Sequence, residues 1–146
     1  MAHSSTMVSI CCMTYNQEKY IAETIEGFLK QKTDFEYEIL IHDDASTDST
    51  QSIIKKYAKN YPERIKLVIQ EENQYSKGVD IVKEYLYPLV SGKYVAICEG
   101  DDFWIDENKL QKQIDILEEN NSVNMCVHAT QEIFEDGSIT GKIYPC

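Results

Sequence analysis

The sequence has no apolar run approaching the roughly 20 residues that a membrane-spanning helix requires, and its opening, MAHSST, holds no apolar signal-peptide core. The expected location is the cytoplasm, with any attachment to the inner face of a membrane left to segments outside this chain. Paired cysteine spacing is also missing. Cys11, Cys12, Cys98, Cys126 and Cys146 make an odd count with no C-x-x-C among them, which argues against a disulfide frame or a zinc site and for reduced thiols in a core. Basic charge is scarce: Lys plus Arg total 14 against 25 Asp plus Glu, a formal net charge of −11. Such a surface repels nucleic-acid backbone, so no nucleic-acid partner is expected. An anionic small ligand remains compatible if a divalent cation or oriented backbone N–H groups neutralise it locally. Repeats, linkers and low-complexity tracts are absent, and no Gly-rich phosphate loop stands near the start, which disfavours a nucleotidyltransferase.

What is present is enough for one globular domain: 146 residues, 42% of them hydrophobic. Residues 1–7 read as a leader or remnant outside the fold, and 8–146 as the domain. Val8 to Met13 (VSICCM) is uncharged and apolar, the pattern of a strand buried on both faces. Ile21, Ile25, Phe28 and Leu29 then fall on one helical face. A second β-α unit runs from YEILIH (Tyr37 to His42) through DDASTDST to a helix carrying Ile53, Ile54, Tyr57 and Ala58. Ile65 to Ile69 gives a third strand, Val79 to Leu89 a weaker helix interrupted near Pro88, and Tyr94 to Cys98 a fourth strand. A helix from about Lys109 to Glu119 follows, with Leu110, Ile114 and Leu117 inward. Asn124 to Thr130 and a hairpin around Asp136-Gly137 read as further strands. This alternation predicts an α/β fold: a mostly parallel sheet flanked by helices in three layers.

In such sheets ligands bind beyond the carboxyl ends of the strands, where three polar tips should converge. Thr14-Tyr15-Asn16 follows the first strand, Asp43-Asp44 the second and Glu99-Gly100-Asp101-Asp102 the fourth. Asp101 and Asp102 supply hard oxygen ligands suited to Mg²⁺ or Mn²⁺, with water and substrate phosphate completing the shell. The plainer alternative is a solvated acidic turn capping the next helix. Asp43 is placed to accept a hydrogen bond from a nucleobase N–H or a ribose hydroxyl, although Asx-turn and capping chemistry explains Asp43 to Asp48 equally well. Tyr15 is either a stacking platform for a base or a packing residue at a helix start. Lys77 reads as a solvated lysine, His42 and His128 as structural, and Trp104 as the residue packed behind the acidic tip.

Taken in order, VSICCMTYNQEKYI (Val8 to Ile21), DDASTDST (Asp43 to Thr50) and GKYVAICEGDDFW (Gly92 to Trp104) resemble the three donor-site motifs of family 2 glycosyltransferases with a GT-A fold. The resemblance covers nearly the whole chain after Met7. It implies that the first loop (Thr14, Tyr15, Asn16) and Asp43 hold the base of a nucleotide, usually uracil. It further implies that Asp101 reaches the ribose or metal, and Asp102 the Mg²⁺ or Mn²⁺ bridging the diphosphate. The implied reaction is inverting transfer of a sugar from a nucleotide-diphosphate donor to a glycan, lipid-linked sugar or protein hydroxyl. The family's general base and acceptor loops lie well beyond the acidic tip. The chain is therefore expected to be the donor-binding half, truncated before the acceptor region, with no catalytic base assigned and transfer poor or absent.

Two rivals make different demands. A non-catalytic nucleotide-binding or assembly module would keep metal-dependent affinity without turnover. A phosphoacceptor signalling domain needs an acidic pair after the first strand and an acceptor Asp after the third, where the sequence has Met13-Thr14 and Gln70.

Overall fold

A computed structural model describes residues 6–120 and 122–144 of the chain. The chain divides into two compact units at Asn108/Lys109. The first unit holds β1 (Val8–Thr14), α1 (Ile21–Leu29), β2 (Tyr37–Asp43), α2 (Thr50–Asn60), β3 (Ile65–Ile69) and β4 (Tyr94–Glu99). Its four strands are all parallel, in the order β3-β2-β1-β4. The order reverses at β1, between β2 and β4, and a crevice forms beyond the carboxyl ends of such strands. Register brings the tips level: Thr14 lies opposite Asp43, and Met13 opposite Glu99. The expected parallel α/β arrangement is thus present. Met7, just ahead of β1, donates to the Glu36 carbonyl and accepts from the Tyr94 amide, and β1 begins at Val8 as expected.

The uncharged runs of β1 and β2 are explained by burial on both faces: Ile10, Cys11, Cys12, Ile39, Leu40 and Ile41 are all fully buried. Alternation sends Cys11 and Leu40 to one face, where they pack with Leu86. Tyr37, on the other face, donates its hydroxyl to the Phe28 carbonyl and so marks the side on which α1 lies. α1 and α2 pack together there, and Tyr57 of α2 donates to Glu26 of α1. The layer on the Leu86 side is thin. The weaker helix expected over Val79 to Leu89 is a single wide turn, Val82–Leu86, continued by a tight one, Tyr87–Leu89. Pro88 has no N–H and its ring excludes the carbonyl four residues back, so an α-helix cannot run through it.

The amino end of this sheet is closed by a buried carboxylate. Glu38 accepts from the Ser9 hydroxyl at 2.6 Å, the Lys66 ammonium at 2.7 Å, and the Ser91 amide and hydroxyl at 2.9 and 2.7 Å. Burial alone would raise its pKa, but these four donors override that and hold the carboxyl at about 2. Gly92 follows Ser91 because nothing larger fits: a Cβ there would stand 2.6 Å from the Ser9 nitrogen and 2.7 Å from the Val8 carbonyl carbon.

The second unit comprises α3 (Lys109–Glu119) and a hairpin of β5 (Thr130–Ile133) and β6 (Ile139–Tyr144). Leu110 and Ile114 are buried as expected. The hairpin turns at Gly137, whose φ of 81° suits glycine, with Asp136 accepting from the Ser138 amide. Asn124 to Ala129, expected as strand, joins no ladder, and Met125 and Val127 are exposed. A strand is stable only beside a partner, and none pairs with this stretch among the described residues. Cys146 lies outside the described residues. Among those described, no helix is long and apolar enough to cross a membrane.

Candidate functional site

The loops after β1 and β2 are built as one piece. Asn16 and Ala45 both adopt left-handed backbone, with φ of 52° and 64°. Asn tolerates this conformation well and Ala poorly, so the second turn is held by its surroundings. Those surroundings are reciprocal hydrogen bonds. The Asn16 amide donates to Ser46 Oγ at 2.9 Å while Asn16 Oδ1 accepts the Thr47 amide at 2.7 Å. The Glu18 amide donates to Asp48 at 3.1 Å, and Glu18 accepts the Ser49 amide at 2.8 Å. The Gln17 amide reaches Thr50 Oγ1, and the Asp44 amide reaches the Thr14 carbonyl. Asn16, predicted to bind nucleotide, therefore has its side-chain oxygen engaged in holding the second loop. Tyr15 beside it projects, with 47% of its surface exposed.

Asp43 and Asp44 have separate tasks. Asp44 Oδ1 and Oδ2 accept the Gln74 and Tyr75 amides at 2.7 and 3.0 Å, anchoring the loop after β3. Asp43 is fully buried at the tip of β2, where its Oδ1 accepts the Ser46 amide and the Gln51 side-chain amide. Its Oδ2 has no hydrogen-bond partner, and neither has Thr14 Oγ1 on the adjacent strand tip. An unpaired buried carboxylate oxygen is costly, by about 1–3 kcal/mol, which makes it a position where a donor from outside the chain is favoured.

The third tip is clamped beside the first. The Gly100 amide donates to the Met13 carbonyl at 2.9 Å, continuing the β1–β4 ladder, and the Asp102 amide turns back to the Glu99 carbonyl. A Cβ on Gly100 would strike the side chains of Thr14 and Gln17, so only glycine passes this point. Asp101 and Asp102 are exposed. α3 begins only at Lys109, and the Asx turn just before it belongs to Asp106, which accepts the Asn108 amide. The charge of Asp101 is felt inside the sheet: burial pushes the Cys12 thiol well up, and Cys98, Asp101, Cys11 and Glu99 add to it. No group of three or more His, Cys, Asp or Glu side chains encloses a cation site among the described residues. Two exposed neighbouring carboxylates nevertheless match Mg²⁺, which takes one or two protein carboxylates and draws its remaining ligands from water and phosphate.

The residues read as structural behave so. His42 is buried in β2, its Nε2 3.1 Å from the Gln70 side-chain amide and its ring 5.2 Å from that of Tyr85. Burial lowers its pKa despite the nearby Asp44 and Asp43. Lys77 pairs with Glu72, and exposed His128 meets the Ala129 carbonyl. Trp104 packs edge-on against Phe28 of α1 at 4.8 Å. Sequence reasoning missed Gln51, which orients Asp43, and Thr24, which holds Gly100. Thr24 carried a signal: it is a polar residue between Ile21, Ile25 and Phe28 on the buried face of α1.

The model of the family described as Glycosyl transferase family 2 matches residues 9–142. An uncharacterized protein of Mycobacterium tuberculosis is 39% identical over 138 residues, 94% of this chain and 39% of its own length. The Escherichia coli UDP-Glc:alpha-D-GlcNAc-diphosphoundecaprenol beta-1,3-glucosyltransferase WfgD is 35% identical over 136 residues, 93% of this chain and 50% of its own. S. aureus TarS in complex with UDP shares the fold with a TM-score of 0.68 at 29% identity, over 89% of this chain and 40% of that one. A mannosyltransferase from Pyrobaculum calidifontis, in complex with GDP-Man and Mn2+, has a TM-score of 0.67 at 23% identity, over 88% and 35% of the two chains, a likeness of fold alone. This chain thus spans half or less of the length of each of these relatives.

Proposed function

From its membership of glycosyl transferase family 2, to which the chain belongs, we propose that it is the donor-binding portion of a glycosyltransferase using a nucleotide-diphosphate sugar. The observation that carries this is the state of Asp43: a buried carboxylate on the strand tip next to the sheet's switch point, with one oxygen lacking a partner beside a Thr14 hydroxyl that also lacks one. A carboxylate only accepts, so its natural complement is an N–H or O–H donor such as a nucleobase imide or a ribose hydroxyl. Tyr15, half-exposed on the adjoining loop, offers an aromatic face to that base, and Asn16 fixes the loop that carries it. UDP is the first candidate, in keeping with the UDP in the S. aureus TarS complex and in the name of the E. coli relative.

The diphosphate extends toward Asp101 and Asp102 on the next strand tip. These two carboxylates would hold Mg²⁺ or Mn²⁺, and Asp101 would also contact the ribose. Such an ion, when bound, supplies positive charge against the leaving diphosphate. The chain's own residues bind and orient the donor, so that an acceptor hydroxyl deprotonated by a base outside this set attacks the anomeric carbon from the opposite face, with inversion. The acceptor is proposed to be a lipid-linked sugar in glycan or polysaccharide synthesis, the kind named for the E. coli relative. Work at the inner face of a membrane follows from that acceptor.

Calorimetric titration of UDP tests the reading: into the protein with Mn²⁺, with EDTA, and into Asp102→Ala with Mn²⁺. Binding that requires both the metal and Asp102 is the expected result. UDP binding indifferent to both would remove the acidic tip from the donor site. A chain that binds none of UDP, GDP, dTDP or CDP would sink the donor-site reading altogether.

A further inference from the structure

Residues 100–107 form neither helix nor strand, yet their backbone is held at regular intervals by one helix. Thr24 Oγ1 donates to the Gly100 carbonyl at 3.0 Å in a fully buried contact. Gly27 lies so close to Trp104 that a Cβ would stand 3.1 Å from both its nitrogen and its carbonyl oxygen. Phe28 takes the Trp104 ring edge-on. Gln31, itself buried, donates to the Asp106 carbonyl at 2.9 Å and to the Gly27 carbonyl at 3.2 Å. Finally the Lys32 amide donates to the Glu107 carbonyl at 2.7 Å.

Thr24, Gly27, Phe28 and Gln31 stand at i, i+3, i+4 and i+7, one face of a helix and its C-terminal extension. That face meets positions 100, 104, 104 and 106 in ascending order, so the strap runs parallel to the helix and is fitted to it along its length. A segment without a hydrogen-bond ladder of its own takes its conformation from whatever satisfies its carbonyls. Here that is α1 and its end, at Gly100, Asp106 and Glu107, with the Cys98 thiol of β4 donating to the Asp102 carbonyl between them at 3.8 Å.

We propose that α1 is the positioning element for the acidic tip: Thr24 and Gln31 set where Asp101 and Asp102 stand relative to the Thr14 and Asp43 tips. Thr24 is the decisive one, because the Gly100 carbonyl it holds is adjacent to Asp101. Gln31 and the Phe28–Trp104 contact fix the far side of the pair. Neither Thr24 nor Gln31 touches a ligand in this scheme. Both act through the backbone that carries the carboxylates, so they are positioning residues. The proposal rests on the donor-site reading above.

The variants are Thr24→Val, which keeps the shape and removes the donor, Thr24→Ser, which restores it, and Gln31→Met as an independent release of the same strap. Two readouts are needed. Amide hydrogen exchange reports the strap without any ligand: Thr24→Val and Gln31→Met should speed exchange over 100–107 and leave 14–17 and 43–50 unchanged, with Thr24→Ser close to the parent. Titration with UDP should show the Mn²⁺ concentration for half-maximal binding rising about tenfold in Thr24→Val and recovering in Thr24→Ser. Uridine, which lacks the diphosphate, should bind all of them alike. Unchanged exchange over the strap overturns the proposal, as does a loosened strap with an unmoved Mn²⁺ requirement or an equal loss of uridine and UDP. A parent protein that binds no UDP removes the donor-site reading and this proposal together, whereas a parent that binds it, with variants that match, removes the proposal alone.

Discussion

The two ends of the parallel sheet each carry a buried carboxylate from β2, and they are finished in opposite ways. At the amino end Glu38 receives four hydrogen bonds from Ser9, Lys66 and Ser91. At the carboxyl end, five residues on, Asp43 has two donors on one oxygen and none on the other. Strand alternation puts the two side chains on opposite faces of the same strand. Glu38 is saturated by the protein and therefore adds stability and nothing else. Asp43 keeps one oxygen without a partner, which costs stability, and in the function proposed above a nucleotide completes it. Buried acid alone is thus a poor marker of function; the number of donors the fold supplies is the better one.

The largest effect that sharpens this contrast is expected at the amino end. Gly92→Ala forces a methyl group against the Ser9 and Val8 backbone, and should cost about 3 kcal/mol or more in denaturant unfolding. Next, Glu38→Gln leaves Lys66 and the two serines without their common acceptor charge and should cost about 2 kcal/mol, while the UDP affinity of the folded fraction stays unchanged. A loss of UDP affinity there would break the separation of the two ends. At the carboxyl end Asp43→Asn keeps the Oδ1 acceptor for Ser46 and Gln51, so thermal stability should move by less than about 1 kcal/mol while UDP binding weakens at least about tenfold by calorimetry. The smallest effect belongs to Asp102→Ala, an exposed site, with stability within about 0.5 kcal/mol and the Mn²⁺ dependence of UDP binding lost.

Acid titration separates the ends as well. Glu38 is held at about 2 in the folded chain against an ordinary 4.5, a depressed value. Its contribution is therefore present in full above the unfolded value and drains away as pH falls from about 4.5 toward 2. Urea midpoints measured down this range should fall more steeply for the parent than for Glu38→Gln, which has no proton to gain. Equal slopes would mean that other carboxylates govern the acid limb.

Much of this was legible in the sequence. The uncharged runs of β1 and β2, the apolar spacing of α1 and the polar residues at strand ends are local patterns, and each maps to one element. Three kinds of feature were not local. The wide turn over Val82–Leu86 comes from a conflict between apolar spacing, which favours helix, and Pro88, which forbids it. Asn124 to Ala129 has strand composition, but pairing depends on a neighbour the composition does not specify. The division of labour between Asp43 and Asp44 depends on amides 30 and 31 positions from Asp44, Gln74 and Tyr75. Thr24 and Gln31 belong to this third kind, with partners 76 and 75 positions away.

Cys12 and Cys98, facing each other across β1 and β4 and both buried, lie directly beneath the acidic tip. A thiol so placed reacts with an alkylating reagent only when the structure covering it opens locally, so the protein carries its own clock for that event. Pulse labelling followed by mass spectrometry would time that local opening, with the less buried Cys126 of the second unit as the fast internal reference. Nucleotide and Mn²⁺ that bridge the tips should slow the clock at Cys12 and Cys98 and leave Cys126 running at its original rate.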